Sequence, residues 1–364
     1  MSIASKQVDK KANKTPDKIK VSGVILVDKP QGMTSQQVVS KVKYLFKSPM
    51  HDSKKAGHTG TLDPMATGLL PICLGEATKF SHYQLDADKS YQATILLGSQ
   101  TDTGDADGQI IEQASIPEFD EDLLASIAQQ FLGAQQQIPP MYSALKKDGK
   151  KLYEYARAGI EVDRPPRDIM IKAIDLNVID DQQIRLTVTC TKGTYVRVLA
   201  EDIAKGLGTL GHLTALRRTQ VGKFSIDKSI VLSSLKEHDL EERQSWLLPI
   251  DACINIDAEL MLTEEQCARV HMGQRLNVFD ELNGKLRDYI SNNVSYQLTN
   301  DNAVSTNDTD LEIDKEGDAD LESSQPVAHE IPVDIRLLNE QGEFIGLGAV
   351  SLNGRLQPKK LIQR

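Results

Sequence analysis

Long apolar runs are missing from this sequence. None approaches the roughly 18 to 20 residues that a helix needs to cross a bilayer. The first twenty residues, MSIASKQVDKKANKTPDKIK, are basic and polar where a signal peptide would be apolar. The pattern argues against a membrane protein and predicts a cytoplasmic one. Cysteine is scarce: Cys73, Cys190, Cys253 and Cys267 are scattered through 364 residues with no CxxC and no Cys/His cluster. In a chain of this length that argues against a disulfide framework or a zinc site and predicts buried, reduced thiols. Neither GxxxxGKS/T nor GxSxG occurs, so nucleotide hydrolysis on a phosphate loop and α/β-hydrolase chemistry have no support. TDTGDADG, residues 101–108, tempts a calcium reading. Thr103 stands where the loop's first aspartate belongs, and Ala114 where its closing glutamate belongs, so the stretch reads as an acidic turn. There is no internal repeat.

What is present is ordinary for a globular chain, 40% apolar and 26% charged, and long enough for two domains. The net charge of −10 is unevenly spread. Residues 1–60 carry twelve lysines against four aspartates, whereas residues 301–322 carry nine acids against Lys315. Two readings fit: solvated tails, or a basic binding face with a separate acidic segment.

Residues 1–21 read as a disordered basic extension. A buried strand over Val24–Val27 follows, then a helix capped by Thr34 or Ser35 with Val38, Val39, Val42 and Leu45 at helical spacing. SYQATILLGSQT alternates like a strand, and FDEDLLASIAQQFLG reads as an amphipathic helix. IKAIDLNVIDDQQIRLTVTCTKG reads as two strands about a polar turn, TYVRVLAEDIAKGLG as a helix, and LTALRRTQVGKFSI as a strand. A helix near 230–238 closes a first domain over 22–250. A smaller β-rich domain occupies 251–364. It is interrupted at about 290–328 by a polar, acidic stretch too poor in large apolar groups to offset its ordering entropy, which predicts a disordered insertion.

GHTGTLDPMATGLL, residues 57–70, fits neither the helical nor the strand period. Pro64 holds Asp63 extended, and Gly57, Gly60 and Gly68 allow tight backbone paths. A carboxylate presented so can be a nucleophile, a general base or a metal ligand. A metal would need more donors than His58 supplies. A lone Asp-Pro is also the signature of a turn in which the carboxylate caps backbone amides, and the residues leave that choice open.

VDKPQGMTS, AGHTGTLDPMATGLLPICLGEATKF, TDTGDADG, IPPMYSALKKDGKKLYEYARAGIEV and CTKGTYVRVLAEDI occur in that order. Together they resemble the bacterial TruB family of tRNA pseudouridine synthases, closely over about residues 22–226 and loosely in the C-terminal unit. The resemblance implies an α+β fold: a mixed, largely antiparallel sheet flanked by helices (the pseudouridine synthase fold) with a small β-rich, PUA-like RNA-binding domain. It implies isomerisation of uridine 55 in the T loop of tRNA to pseudouridine. The protein would act as a monomer on the T arm, with no cofactor, metal, guide RNA or membrane. The family's essential aspartate falls on Asp63. His58 would prop the space beside the everted base, and Tyr91 would lie over the uracil ring, where stacking contributes about 1–3 kcal/mol. Tyr195 would contact the base, Arg197 would pair with the aspartate, and the Leu216 backbone would meet the uracil edge. An arginine beside a carboxylate in a dry pocket favours the ionised form. TDTGDADG is a turn that the family also carries, expected near Asp63. Lys29, Lys79, Lys146, Lys147, Lys150, Lys151, Arg217 and Arg218 would lie along the phosphate path. Without the resemblance each has a plainer reading: a loop histidine, a core tyrosine, a surface arginine, a packed leucine, solvated charges. Two other functions compete: a tRNA-binding folding chaperone with catalysis secondary, and a guide-RNA-dependent synthase. Asp63, Tyr91 and Arg197 together favour the stand-alone enzyme.

Overall fold

A computed structural model describes residues 18–52, 55–305 and 328–363, with side chains of 299–305 left aside. The chain divides into two compact units, Met1–Pro249 and Ile250–Arg364.

The first unit is built on one mixed sheet. Its strands are β1 (Gly23–Lys29), β2 (Ala56–His58), β3 (Thr67–Leu74), β4 (Lys89–Leu97), β5 (Gly133–Gln137), β8 (Arg167–Val178), β9 (Gln183–Cys190), β10 (Gly211–Val221) and β11 (Ile230–Val231). A separate two-stranded hairpin, β6 (Lys146–Lys147) and β7 (Lys150–Lys151), precedes β8. The order across the main sheet is β11-β1-β3-β10-β4-β9-β8-β5, with β2 paired to β3 and Phe224–Ser225 paired to β10. Only β11–β1 and β3–β10 run parallel; the other pairs are antiparallel. The mixed, largely antiparallel sheet read from the sequence is therefore what the chain forms.

Helices α1 (Ser35–Leu45), α2 (Glu121–Phe131) and α3 (Val196–Gly206) cover the sheet. Thr34 caps α1 in a reciprocal box with Gln37, and Val38, Val39, Val42 and Leu45 are buried, as their spacing predicted. They pack with β1 and β3, while Leu124 and Ile127 of α2 and Leu199 and Ile203 of α3 share a second core with β4, β9 and β10. The ordered fold begins earlier than composition suggested. Ile19–Lys20 pairs in parallel with His51–Asp52, and Val21 is buried in the same core as Val27 and Val42. An apolar side chain with a place in the core outweighs the polar character of its neighbours. Residues 1–17 lie outside the described residues.

The second unit contains β12 (Glu259–Met261), α4 (Glu264–His271), β13 (Leu276–Asn277), α5 (Gly284–Ser305), β14 (Val333–Leu338), β15 (Phe344–Val350) and β16 (Arg355–Leu361). Its sheet order is β12-β14-β15-β16-β13, which makes the unit β-rich as expected. The stretch from 290 is not loose as its composition predicted. Helix α5 runs through it, and Leu286, Ile290 and Val294, spaced by four, are buried in one core with Val333, Ile335 and Val350. One apolar row suffices to seat a helix however polar its other faces are. Residues 306–327, the rest of that stretch, lie outside the described residues.

Candidate active site

Asp63 lies between β2 and β3, and several backbone groups around it are tied down. The Lys29 ammonium donates to the carbonyls of Pro64 (3.3 Å) and Ala66 (2.6 Å). The Ser35 hydroxyl donates to the Leu62 carbonyl and accepts from its N–H (3.0 and 2.8 Å). The Gly32 N–H donates to the Pro64 carbonyl at 2.8 Å. Gly68 has φ of +102°, and a Cβ there would fall 2.3 Å from the Arg218 carbonyl oxygen. The glycine is what lets β3 lie against β10 at this point. The sequence thus fixes the aspartate's backbone while leaving its carboxylate 40% exposed.

That carboxylate opens on a cleft of about 350 Å³ whose walls include Asp63, Tyr91, Tyr195, Arg197, Leu216 and Arg218. The volume is in the range of small-ligand pockets. Arg197, in the first turn of α3 and only 5% exposed, places Nη2 3.1 Å from Asp63 Oδ2. The same guanidinium donates to the carbonyls of Thr103 and Tyr142, and its Nε stands 3.6 Å from Asp105 Oδ2. Asp105 is buried and accepts from the Thr103 hydroxyl (2.6 Å) and the Asp107 N–H (3.2 Å). The TDTGDADG turn is therefore the seat of the arginine that meets Asp63.

Tyr91, on β4, packs against the main core, and burial pushes its hydroxyl above the ordinary range, as it does that of Tyr195. Both rings thus present neutral phenols to the cleft at physiological pH. Tyr195 precedes α3, held by Gln137, whose amide accepts its N–H (2.7 Å) and donates to its carbonyl (3.1 Å). Leu216 is a nearly buried wall residue on β10. The cleft thus joins a carboxylate, an arginine, two phenols and an apolar wall. It suits a flat polar ring better than a metal ion: among the described residues no cluster of three or more His, Cys, Asp or Glu could hold one.

Not every residue read from the sequence arrives there. His58 is half-buried on β2 and is not among the cleft-lining residues. Its Nδ1 accepts from the Gly60 N–H at 3.3 Å, and burial pushes the imidazole pKa down. Lys29, expected on the phosphate path, is completely buried beneath the Asp63 loop, where burial lowers its pKa to about 8, and it has no surface to offer RNA. Arg218, also expected there, is 1% exposed. Its neighbour Arg217 forks onto Asp28 at 3.0 and 2.6 Å. Lys79 pairs with Glu76 at 2.7 Å and does not line the cleft. Lys146, Lys147 and Lys150 are exposed on the β6–β7 hairpin, and Lys151 is half-buried there; Ser143, Ala144 and Leu145, just before β6, line the cleft. Sequence reading missed Lys89, a cleft-lining lysine whose Nζ donates to the Leu85 carbonyl at 2.6 Å and whose pKa burial lowers to about 8. Its place two residues before Tyr91, on the same face of the strand, was the available signal.

Comparison with known proteins gives the family. The model of the TruB family pseudouridylate synthase N-terminal domain matches residues 47–196. That of the tRNA pseudouridylate synthase B C-terminal domain matches 197–255, and that of the pseudouridine synthase II TruB C-terminal region matches 323–362. The tRNA pseudouridine synthase B of Psychrobacter cryohalolentis is 73% identical, with all of both chains covered. That of Neisseria meningitidis serogroup B is 46% identical over 73% of this chain and 85% of its own. Among solved structures, a chain of a Cbf5-Nop10-Gar1 complex superposes with a TM-score of 0.59 at 21% identity, covering 93% of this chain and 84% of that one. At that identity the likeness shows the fold.

Proposed function

This chain belongs to the TruB family of tRNA pseudouridine synthases, and from that premise we propose that it isomerises uridine 55 in the T loop of tRNA, with Asp63 as the essential carboxylate. The observation that carries the reading is the 3.1 Å pair between Asp63 and Arg197 at the wall of a cleft shared with Tyr91, Tyr195 and Leu216.

The reaction breaks the bond from uracil N1 to the ribose C1′, turns the base, and forms a bond from C5 to C1′; the C5 proton is lost and N1 gains one. No atom is added or removed, so the chain needs one ionised carboxylate, a closed surface for a free ring to turn against, and groups that keep the carboxylate aimed. Asp63 supplies the first. Tyr91 and Leu216 supply faces of the cleft wall, and Arg197, anchored by Thr103, Tyr142 and Asp105, holds the aim. A stacked loop uridine reaches such a cleft only when everted. Lys146, Lys147 and Lys150 on the hairpin beside the cleft would meet flanking phosphates, and the C-terminal unit would grip another part of the tRNA. The reading needs no guide RNA and places the protein in the cytoplasm with its substrate.

An unmodified T-arm transcript, incubated with the purified protein in EDTA and without guide RNA, tests it. Conversion of uridine 55 to pseudouridine, read by mass shift after carbodiimide labelling, is expected. An unmodified transcript that still binds would replace this reading with that of an RNA-folding chaperone.

A further inference from the structure

Arg218 heads the side chains that the first unit buries completely, at 1% exposure, and among the described residues it forms no ion pair. Burying a cation without a carboxylate is costly, and burial accordingly pulls its pKa down. Its donors explain why the cost is carried. Nε donates to the Leu69 carbonyl (2.8 Å), Nη2 to that of Gly60 (3.0 Å) and Nη1 to that of Thr61 (3.4 Å). On the ladder Arg218 also stands opposite Tyr91, and the guanidinium and phenol influence each other electrostatically. The three carbonyls lie just before or after Asp63 in sequence, and Tyr91 carries the ring that faces the cleft.

The sheet makes this meeting possible. On β10, Arg218 stands opposite Tyr91 of β4 on one side and opposite Gly68 of β3 on the other. Gly60 has φ of +144°, and a Cβ there would come within 3.3 Å of Arg218 Nη1. Two glycines of the 57–70 stretch therefore leave room for one arginine: Gly68 for its backbone, Gly60 for its guanidinium.

We propose that Arg218 is a positioning residue for the isomerisation, locking the loop that carries Asp63 to the strand that carries Tyr91 so that carboxylate and ring keep one fixed relation. The proposal rests on the function given above. Arg218 itself has almost no surface for RNA, so its removal acts on the chemical step and leaves binding nearly alone. Arg218→Lys keeps the charge and loses the fork that spans the carbonyls. Its single-turnover rate on the T-arm transcript is expected to fall about 10²-fold, the scale of a misplaced catalytic group, with transcript Kd within about threefold of wild type. Tyr91→Phe keeps the ring and removes only the hydroxyl. It is expected to be slower than wild type, and Arg218→Lys is expected to cost less in that background than alone, because the two side chains stand opposite each other on the ladder and act on each other.

A folded Arg218→Lys protein with the wild-type rate overturns the proposal. So does a lowered melting midpoint with an intact rate in the folded fraction, the mark of a purely structural arginine. If Arg218→Lys does not fold, Tyr91→Phe decides alone, and a wild-type rate there overturns the coupling. Failure of the wild-type protein to modify the transcript would instead remove the function on which the proposal stands.

Discussion

Asp63 and Arg197 touch, yet one side chain is 40% exposed and the other 5%. The carboxylate faces the cleft and the cation faces the protein. Replacing the carboxylate by an amide should remove the reacting group while leaving the surfaces that hold RNA: Asp63→Asn is expected to lose at least about 10²-fold in single-turnover rate with tRNA Kd within about threefold, measured by rapid quench and filter binding. Gly and Pro drew attention to Asp63, but its role, like its pairing with Arg197, was assigned only through the family pattern, since an Asp-Pro alone reads equally as a turn and spacing says nothing about a contact between distant residues. Lys29 and Arg218 were misread because lysine and arginine are almost never fully buried unless paired. For Arg218 a signal existed. Two consecutive arginines on a strand point to opposite faces, so Arg217 and Arg218 could not both lie along one phosphate path on a sheet with a covered face.

At the scale of the element, the hairpin and helix α5 show opposite outcomes of reading composition. The Asp-Gly pair inside Lys-Lys-Asp-Gly-Lys-Lys is a local turn signal, and Asp148 and Gly149 adopt φ of +52° and +81° between β6 and β7. Lys146→Ala with Lys150→Ala should weaken tRNA binding and flatten its dependence on log salt by about 0.7–0.9 for each phosphate that is no longer neutralised; an unchanged slope would place these lysines off the RNA. In α5 the polar residues hid the row Leu286, Ile290 and Val294, a helical repeat that a composition average dilutes. Ile290 is fully buried, so Ile290→Ala is expected to destabilise the C-terminal unit by about 2–5 kcal/mol, readable as a lower denaturation midpoint.

Across the whole molecule, buried titrating groups set how stability follows pH. Burial moves Lys29 and Lys89 from 10.5 to about 8, and Cys190 from 9.0 to about 11. Between pH 8 and 9 the unfolded chain holds lysine protons that the native protein has shed, so raising pH stabilises the fold. Above pH 9 the unfolded chain also loses the Cys190 proton that the native protein keeps, and that contribution runs the other way. Two lysines outweigh one thiol until the unfolded lysines titrate near 10.5, so thermal midpoints should climb from pH 8 to 9 and go on climbing less steeply above it. Lys29→Met should reduce the climb, and Cys190→Ala should steepen its upper part. The sheet order was legible only as a class, because periodicity finds strands and does not say which strands are neighbours.

The parallel seam between β3 and β10 joins stretches 149 residues apart in the case of Leu69 and Arg218. During synthesis on the ribosome the chain makes Asp63 long before it makes the strand that completes the cleft. A nascent or truncated chain ending ahead of residue 211 has every residue of GHTGTLDPMATG and lacks the cleft walls Leu216 and Arg218. On the proposed function, turnover therefore doubles as a readout of a chain finished past residue 218.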